Sequence, residues 1–278
     1  MKRIMTIIGV VIMSMLILMP MNAFAMSPLD SMIKNDPSLR PLVNELHKKG
    51  VPDDYIISKL PYKKDMLESM SKIDGKFISH KQTRVKMEQN NSTTNGSTAL
   101  PSSVISPNDL LIDVTKWSRS DSVHPTHKDT YTFYADYDWA SGNPYWTLTD
   151  IFGMAWGGNF TIEDNSITCY ARYIDDTWVS HQTTAGLATV STSGGFAYNI
   201  DLIGSYNGSA TIKNLGWISA NVYHYPDVSG SANIVADYYH QNVRVGLPTV
   251  TIDKSGPKVG LSSYFNMDSA TGYTSVDY

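Results

Sequence analysis

The chain has 278 residues, a formal net charge of −4 and a single cysteine. That length suits one ordinary domain plus a smaller appendage. One thiol excludes an intramolecular disulfide, and the acidic balance argues against a nucleic-acid partner, whose phosphates are bound by Lys and Arg. The distribution says more than the sum: residues 26–90 carry twelve Lys and Arg against nine Asp and Glu, while residues 91–278 carry eight against seventeen, so the two regions should attract.

Lys2 and Arg3 precede an apolar run from Ile4 to Met19, and Pro20 and Ala23-Phe24-Ala25 follow it. This pattern predicts a signal peptide over residues 1–25, with the mature chain starting at Met26 and released outside a bacterial cell. A retained N-terminal anchor is the competing reading. No later stretch has the length and apolarity of a membrane span.

Residues 26–78 read as a short helical segment. Ser27-Pro28 and Asp36-Pro37 each place a capping side chain before a proline suited to the first helical turn. Leu39, Leu42, Val43 and Leu46 then recur at helical spacing, and Gly50 supplies a stop. A second helix should run from Pro52 or Asp53 to before Pro61, and a third over about 63–73 on Met66, Leu67, Met70 and Ile73. Such a unit is marginal alone. It is either a pro-segment that docks on the acidic domain until it is clipped, or a permanent cap. Residues 79–108, with the polar tract Asn90–Thr98, read as a linker.

From 109 to 278 the pattern is all-β. Leu110, Ile112 and Val114 alternate with Leu111, Asp113 and Thr115. Tyr131, Phe133, Ala135, Tyr137 and Trp139 alternate with Thr132, Tyr134, Asp136 and Asp138. Strands follow over about 146–160 and 167–174, the latter after a Glu163-Asp164-Asn165-Ser166 turn. These two and the strand at 131–139 are expected to form one sheet. Further strands fall at 196–202, 210–215, 217–225, 234–239, 243–245, 250–252 and 259–264, with Asn207-Gly208 as the strongest hairpin signal. Eight to ten strands with regular turns predict an antiparallel β-sandwich, with a closed barrel as the alternative.

Catalytic signatures are absent: there is no Gly-x-Ser-x-Gly, no His-Glu-x-x-His and no phosphate loop. Glu163 is the only glutamate after residue 90, and Asp136 or Asp138 would be its partner in a glycosidase. Asp136 and Asp138 share a strand face and would suit a polar ligand or a calcium ion; no other cofactor is implied. His124, His127, His224 and His240 are dispersed, as strand-end or loop residues are. Cys169 falls on an apolar strand face, as a structural thiol does.

All six tryptophans lie after residue 108, more rings than two packed sheets need. Tyr134, Trp146, Trp178, Tyr223 and Tyr225 fall on polar faces or in loops. Rings beside Asp and Asn bind sugars, stacking on the apolar face and hydrogen-bonding the hydroxyls. The expected function is therefore a secreted, non-enzymatic module that binds a glycan or cell-surface polymer through these rings, with Asp136 and Asp138 as polar contacts. A hydrolase held inactive by the helical segment is the alternative. A membrane-active protein using the uncharged stretch Thr183–Gly195 is the third reading.

Overall fold

The computed structural model describes residues 26–86, 109–120, 129–139, 147–224, 229–241, 247–253, 257–262 and 267–278. The leader, residues 87–108, Trp146, Tyr225, His124, His127 and the expected strand at 243–245 lie outside them.

Four α-helices open the described chain: α1 (Pro28–Asn35), α2 (Arg40–Lys48), α3 (Asp53–Lys59) and α4 (Lys64–Ser71). The Ser27 side chain accepts from Asp30 N at 3.0 Å and gives α1 its own start, so there is one helix more than the three expected. Asp36 caps a short 3-10 turn, Pro37–Leu39, instead of α2 directly. Gly50, at φ 88°, ends α2 in the left-handed region that glycine enters at little cost.

The strands are β1 (Gly75–Lys86), β2 (Asp109–Arg119), β3 (Asp129–Trp139), β4 (Thr149–Trp156), β5 (Thr161–Ile162), β6 (Thr168–Asp175), β7 (Ser180–Gln182) and β8 (Ala185–Ser191). They continue as β9 (Gly195–Asp201), β10 (Ser205–Tyr206), β11 (Ser209–His224), β12 (Ser231–Gln241), β13 (Val250–Asp253), β14 (Lys258–Leu261) and β15 (Met267–Asp277). One sheet has the order β1-β2-β3-β11-β6-β7, with β5 and β10 also on β11; the other has the order β15-β12-β4-β9-β8. Every pairing is antiparallel. The architecture is the expected sandwich, and the described strands form no closed barrel.

Period-two alternation decides the core. Ile112 and Val114 of β2, Phe133 and Tyr137 of β3, Ile218 and Ala220 of β11 meet Phe152 and Trp156 of β4 and Tyr238 of β12. The strands at 131–139, 146–160 and 167–174 do not share a sheet, as the sequence suggested: β4 belongs to the second. It is buried on both faces because β13 and β14 cover its outer side, where Ile151 and Ala155 pack with Val250, Val259 and Leu261. The expected strands at 210–215 and 217–225 are one strand, β11, with a register shift between Thr211 and Lys213. Asn207 (φ 49°) and Gly208 (φ 87°) make the tight turn between β10 and β11.

One expectation fails at a sheet edge. Residues 79–86, read as linker, continue β1, which is in register with β2 from Gly75↔Arg119 to Lys86↔Asp109. The polar C-terminus is strand β15, paired along its length with β12. Both are edge strands, where charged and polar side chains suppress edge-to-edge association.

The helical unit forms a third layer on the outer face of the first sheet. Leu46, Tyr55, Ile56, Met66, Leu67 and Met70 pack in one cluster with Trp117 of β2, Tyr134 of β3 and Trp217 of β11.

Candidate functional site

Beneath the helices lies a buried ionic cluster. Asp113 and Asp136 stand directly opposite each other on β2 and β3, an arrangement in which like charges repel. The helices supply the counter-charges. Lys59 Nζ donates to both Asp136 oxygens at 2.9 Å and lies 3.1 Å from Asp113 Oδ2. Lys63 Nζ donates to Asp136 Oδ1, and His80 Nδ1 of β1 sits 3.2 Å from Asp113 Oδ2. Burial opposes the charge on Lys59, but Asp136 and Asp113 outweigh it and hold its pKa above the ordinary value. At Lys63 burial, together with the neighbouring Lys59 ammonium, prevails over Asp136 and lowers the pKa. The hydrogen bond with Asp113 raises that of His80.

This cluster corrects the expected role of Asp136. Asp136 is 2% exposed and committed to the two lysines. Asp138 pairs with Lys213 at 2.8 Å. The Asp136 carboxylate is therefore not left open for a sugar hydroxyl or a calcium ion, while Asp138 has one ion pair, through Oδ1. Tyr134, expected as an exposed ring, is buried under the helical unit, its hydroxyl 3.1 Å from Ser69 Oγ and its ring against Trp217. The polar face of β3 is not a wet face, because a layer from another part of the chain covers it. Tyr223 is half-buried near the far end of β11, opposite Thr130 and Thr161.

Trp178 falls between two strands, in a loop as expected. It is 68% exposed, at the tip of the turn between β6 and β7. The Asp175 carboxylate builds that turn. It accepts from Thr177 N at 3.0 Å, Thr177 Oγ1 at 2.7 Å and Val179 N at 2.9 Å, and lies 2.8 Å from His181 Nε2. His181 foremost, then Thr177, holds the Asp175 carboxyl well below the usual carboxylate range. Trp178 itself adopts φ 65°, a conformation that costs a β-carbon-bearing residue about 1–2 kcal/mol. Its indole stacks on Tyr62 from the loop between α3 and α4, with centroids 6.5 Å apart and planes 17° apart. Lys213 Nζ lies 4.4 Å from the other ring of that pair, Tyr62.

A cleft of about 710 Å³ opens two residues beyond Trp178, lined by Tyr173, Ser180, His181, Gln182, Thr183 and Ile203 among others. The His181 ring lies parallel to Tyr173, centroids 4.9 Å apart. The cleft thus sets an aromatic pair beside hydroxyl and amide groups. Glu163 is engaged by Arg119 at 2.6 Å, and Asp136 by Lys59 and Lys63. Burial pushes the Cys169 thiol up to about 12, which disfavours the thiolate form. Among the described residues no group of three or more His, Cys, Asp and Glu is placed to hold a metal ion, and no helix is long and apolar enough to cross a membrane.

The sequence reading missed Tyr62 and Tyr170. Tyr170 is 39% exposed on the outer face of β6 and stacks on Trp217 at 5.2 Å and 12°. Its signal was the alternation of β6 itself, which puts Tyr170 opposite the inward Cys169 and Ala171.

No protein-family model and no curated protein matches the sequence. Among solved structures the chain is similar to a pore forming protein (8% identity, 73% of this chain and 96% of that chain, TM-score 0.36). It is also similar to a collagen-binding domain from a Staphylococcus aureus adhesin (7%, 56% and 93%, 0.28). A third match is the KRT10-binding region domain of the pneumococcal serine rich repeat protein PsrP (10%, 66% and 98%, 0.27). Superpositions this loose carry no functional assignment.

Proposed function

We propose that the chain is a secreted, non-enzymatic β-sandwich module that binds a glycan or another cell-surface polymer through exposed aromatic side chains. The observation that carries this reading is Trp178, pinned outward by the Asp175 turn and stacked on Tyr62 beside an open polar cleft. A large ring that stays 68% exposed in a strained backbone conformation is not explained by burial, and strained exposed residues cluster at ligand sites.

The test is tryptophan emission during titration with cell-wall and exopolysaccharide preparations. Trp117, Trp139, Trp156 and Trp217 are buried, so an emission change reports on Trp178 or on Trp146, and the single variants Trp178→Phe and Trp146→Phe separate the two. Trp178→Phe should abolish most of the ligand-induced change, and Trp178→Ala should weaken binding by about tenfold or more, the worth of one aromatic stacking contact. Unchanged emission of the wild-type protein with every preparation would remove the proposal.

One observation favours the membrane-active reading as a second. Strand β8 is an uncharged edge strand with Leu187 and Val190 facing solvent. Dye release from liposomes, abolished by Leu187→Asp, is its expected outcome.

A further inference from the structure

The binding reading above leaves open where a sugar ring would be hydrogen-bonded as well as stacked, and a second cleft answers that. It has a volume of about 300 Å³ and lies on the seam between the end of α4 and the outer face of the first sheet. The volume is at the lower end for small-ligand sites. Ser69, Lys72 and Asp74 line it from the helical side, and Thr132, Thr168, Ser219 and Asn221 from the sheet.

The sheet side is a grid of small polar groups set by strand register. Ser219 on β11 faces Tyr134 on β3 and Thr168 on β6, and Asn221 faces Thr132. Thr168 Oγ1 and Ser219 Oγ are 2.5 Å apart, and Thr132 Oγ1 donates to Asn221 Oδ1 at 2.8 Å. These bonds fix the side chains while leaving capacity unused. The Asn221 Nδ2 amide, half-buried in the cleft wall, makes no hydrogen bond to the described residues. Lys72 is exposed and makes no ion pair among them. Arg119, also lining the cleft, is matched by Glu163. Tyr170, two residues from Thr168 on the same strand face and so about 7 Å along it, adds an exposed ring at the margin.

We infer that this seam is a subsite for one ring of a neutral polyhydroxylated ligand, with Asn221, Thr168 and Lys72 contacting the hydroxyls and Tyr170 packing on the ring face. The subsite exists only while the helical unit is docked, because Lys72 and Ser69 form one of its walls. The helical unit is then a working part of the binding surface and not a discarded leader. This inference rests on the binding reading proposed above.

The experiment is calorimetric titration of the full secreted chain with soluble tetrasaccharides of β1,4-glucose, β1,4-N-acetylglucosamine and mannose, with amide spectra recorded in parallel. At least one sugar should bind and shift the Asn221 side-chain amide together with the backbone amides of residues 69–74. Asn221→Ala and the surface variant Lys72→Ala should each weaken it by about three- to tenfold, the loss of one or two hydrogen bonds. Lys72→Ala cannot fail through misfolding, since the side chain is exposed. If a sugar binds the two seam variants as tightly as wild type but is lost in Trp178→Ala, the subsite is overturned and the binding reading stands. If none of the three perturbs the wild-type protein at millimolar concentration, both fall.

Discussion

Asp136→Ala tests the reasoning about the ionic cluster most directly. The substitution deletes the acceptor of three short contacts, two from Lys59 and one from Lys63. Lys59 keeps Asp113 at 3.1 Å, whereas Lys63, 2% exposed, loses its only close counter-ion among the described residues. Breaking a buried pair from one side costs about 3–5 kcal/mol. In a folded chain of this size each kcal/mol corresponds to about 2–4 °C, so the thermal midpoint should fall by about 6–20 °C. The double variant Lys63→Met/Asp136→Leu removes both ends and leaves the Lys59–Asp113 pair intact. It should recover most of the loss, because a well-packed apolar pair replaces a buried ion pair at little cost. The assay is scanning calorimetry at neutral pH. A fall of less than about 2 °C in the single variant, or a double variant no more stable than the single, would refute the account of the cluster.

Other outcomes follow from the same geometry. His80 has a raised pKa because Asp113 accepts its proton. Its contribution is therefore complete below the ordinary histidine value and is lost as pH rises through the folded one. His80→Gln should flatten the decline in thermal midpoint between about pH 6 and pH 8, and an unchanged slope would dismiss the pairing. A protease site placed in the tract at 91–98 should yield two fragments that still co-elute in gel filtration. The eleven-pair ladder between β1 and β2 and the buried lysines hold them together, and separation at neutral pH without denaturant would contradict this. Gly216→Ala would bring a β-carbon to 2.4 Å from the Tyr170 carbonyl oxygen and 2.7 Å from the Tyr137 ring. Such overpacking should cost about 1–3 kcal/mol in chemical denaturation.

The sandwich was legible where one face of a strand is buried and the other polar, as along Tyr131–Trp139. The edge strands were not: Lys81 and Arg84 in β1 read as linker, and no strand was expected over β15. Charged side chains of this kind are what an edge requires. Trp178 lies in a loop in the structure as in the sequence, because Asp175 and Asp176 beside it favour a turn. Tyr134 and Asp136 were misread for a different reason. Their partners lie 65 to 77 residues away on the helices, and period-two alternation says which face a residue occupies without saying what covers that face. The seam cleft was invisible in sequence, since Thr132, Thr168, Ser219 and Asn221 come together only through register across three strands.

The opposed aspartates on neighbouring strands set a condition on anything that would displace the helices. An intruder must arrive with positive charges of its own, or wait for acid to neutralise the carboxylates. A merely greasy competitor meets two stranded anions. Selectivity against detergents and stray apolar peptides is thus written into the sheet before any ligand is considered.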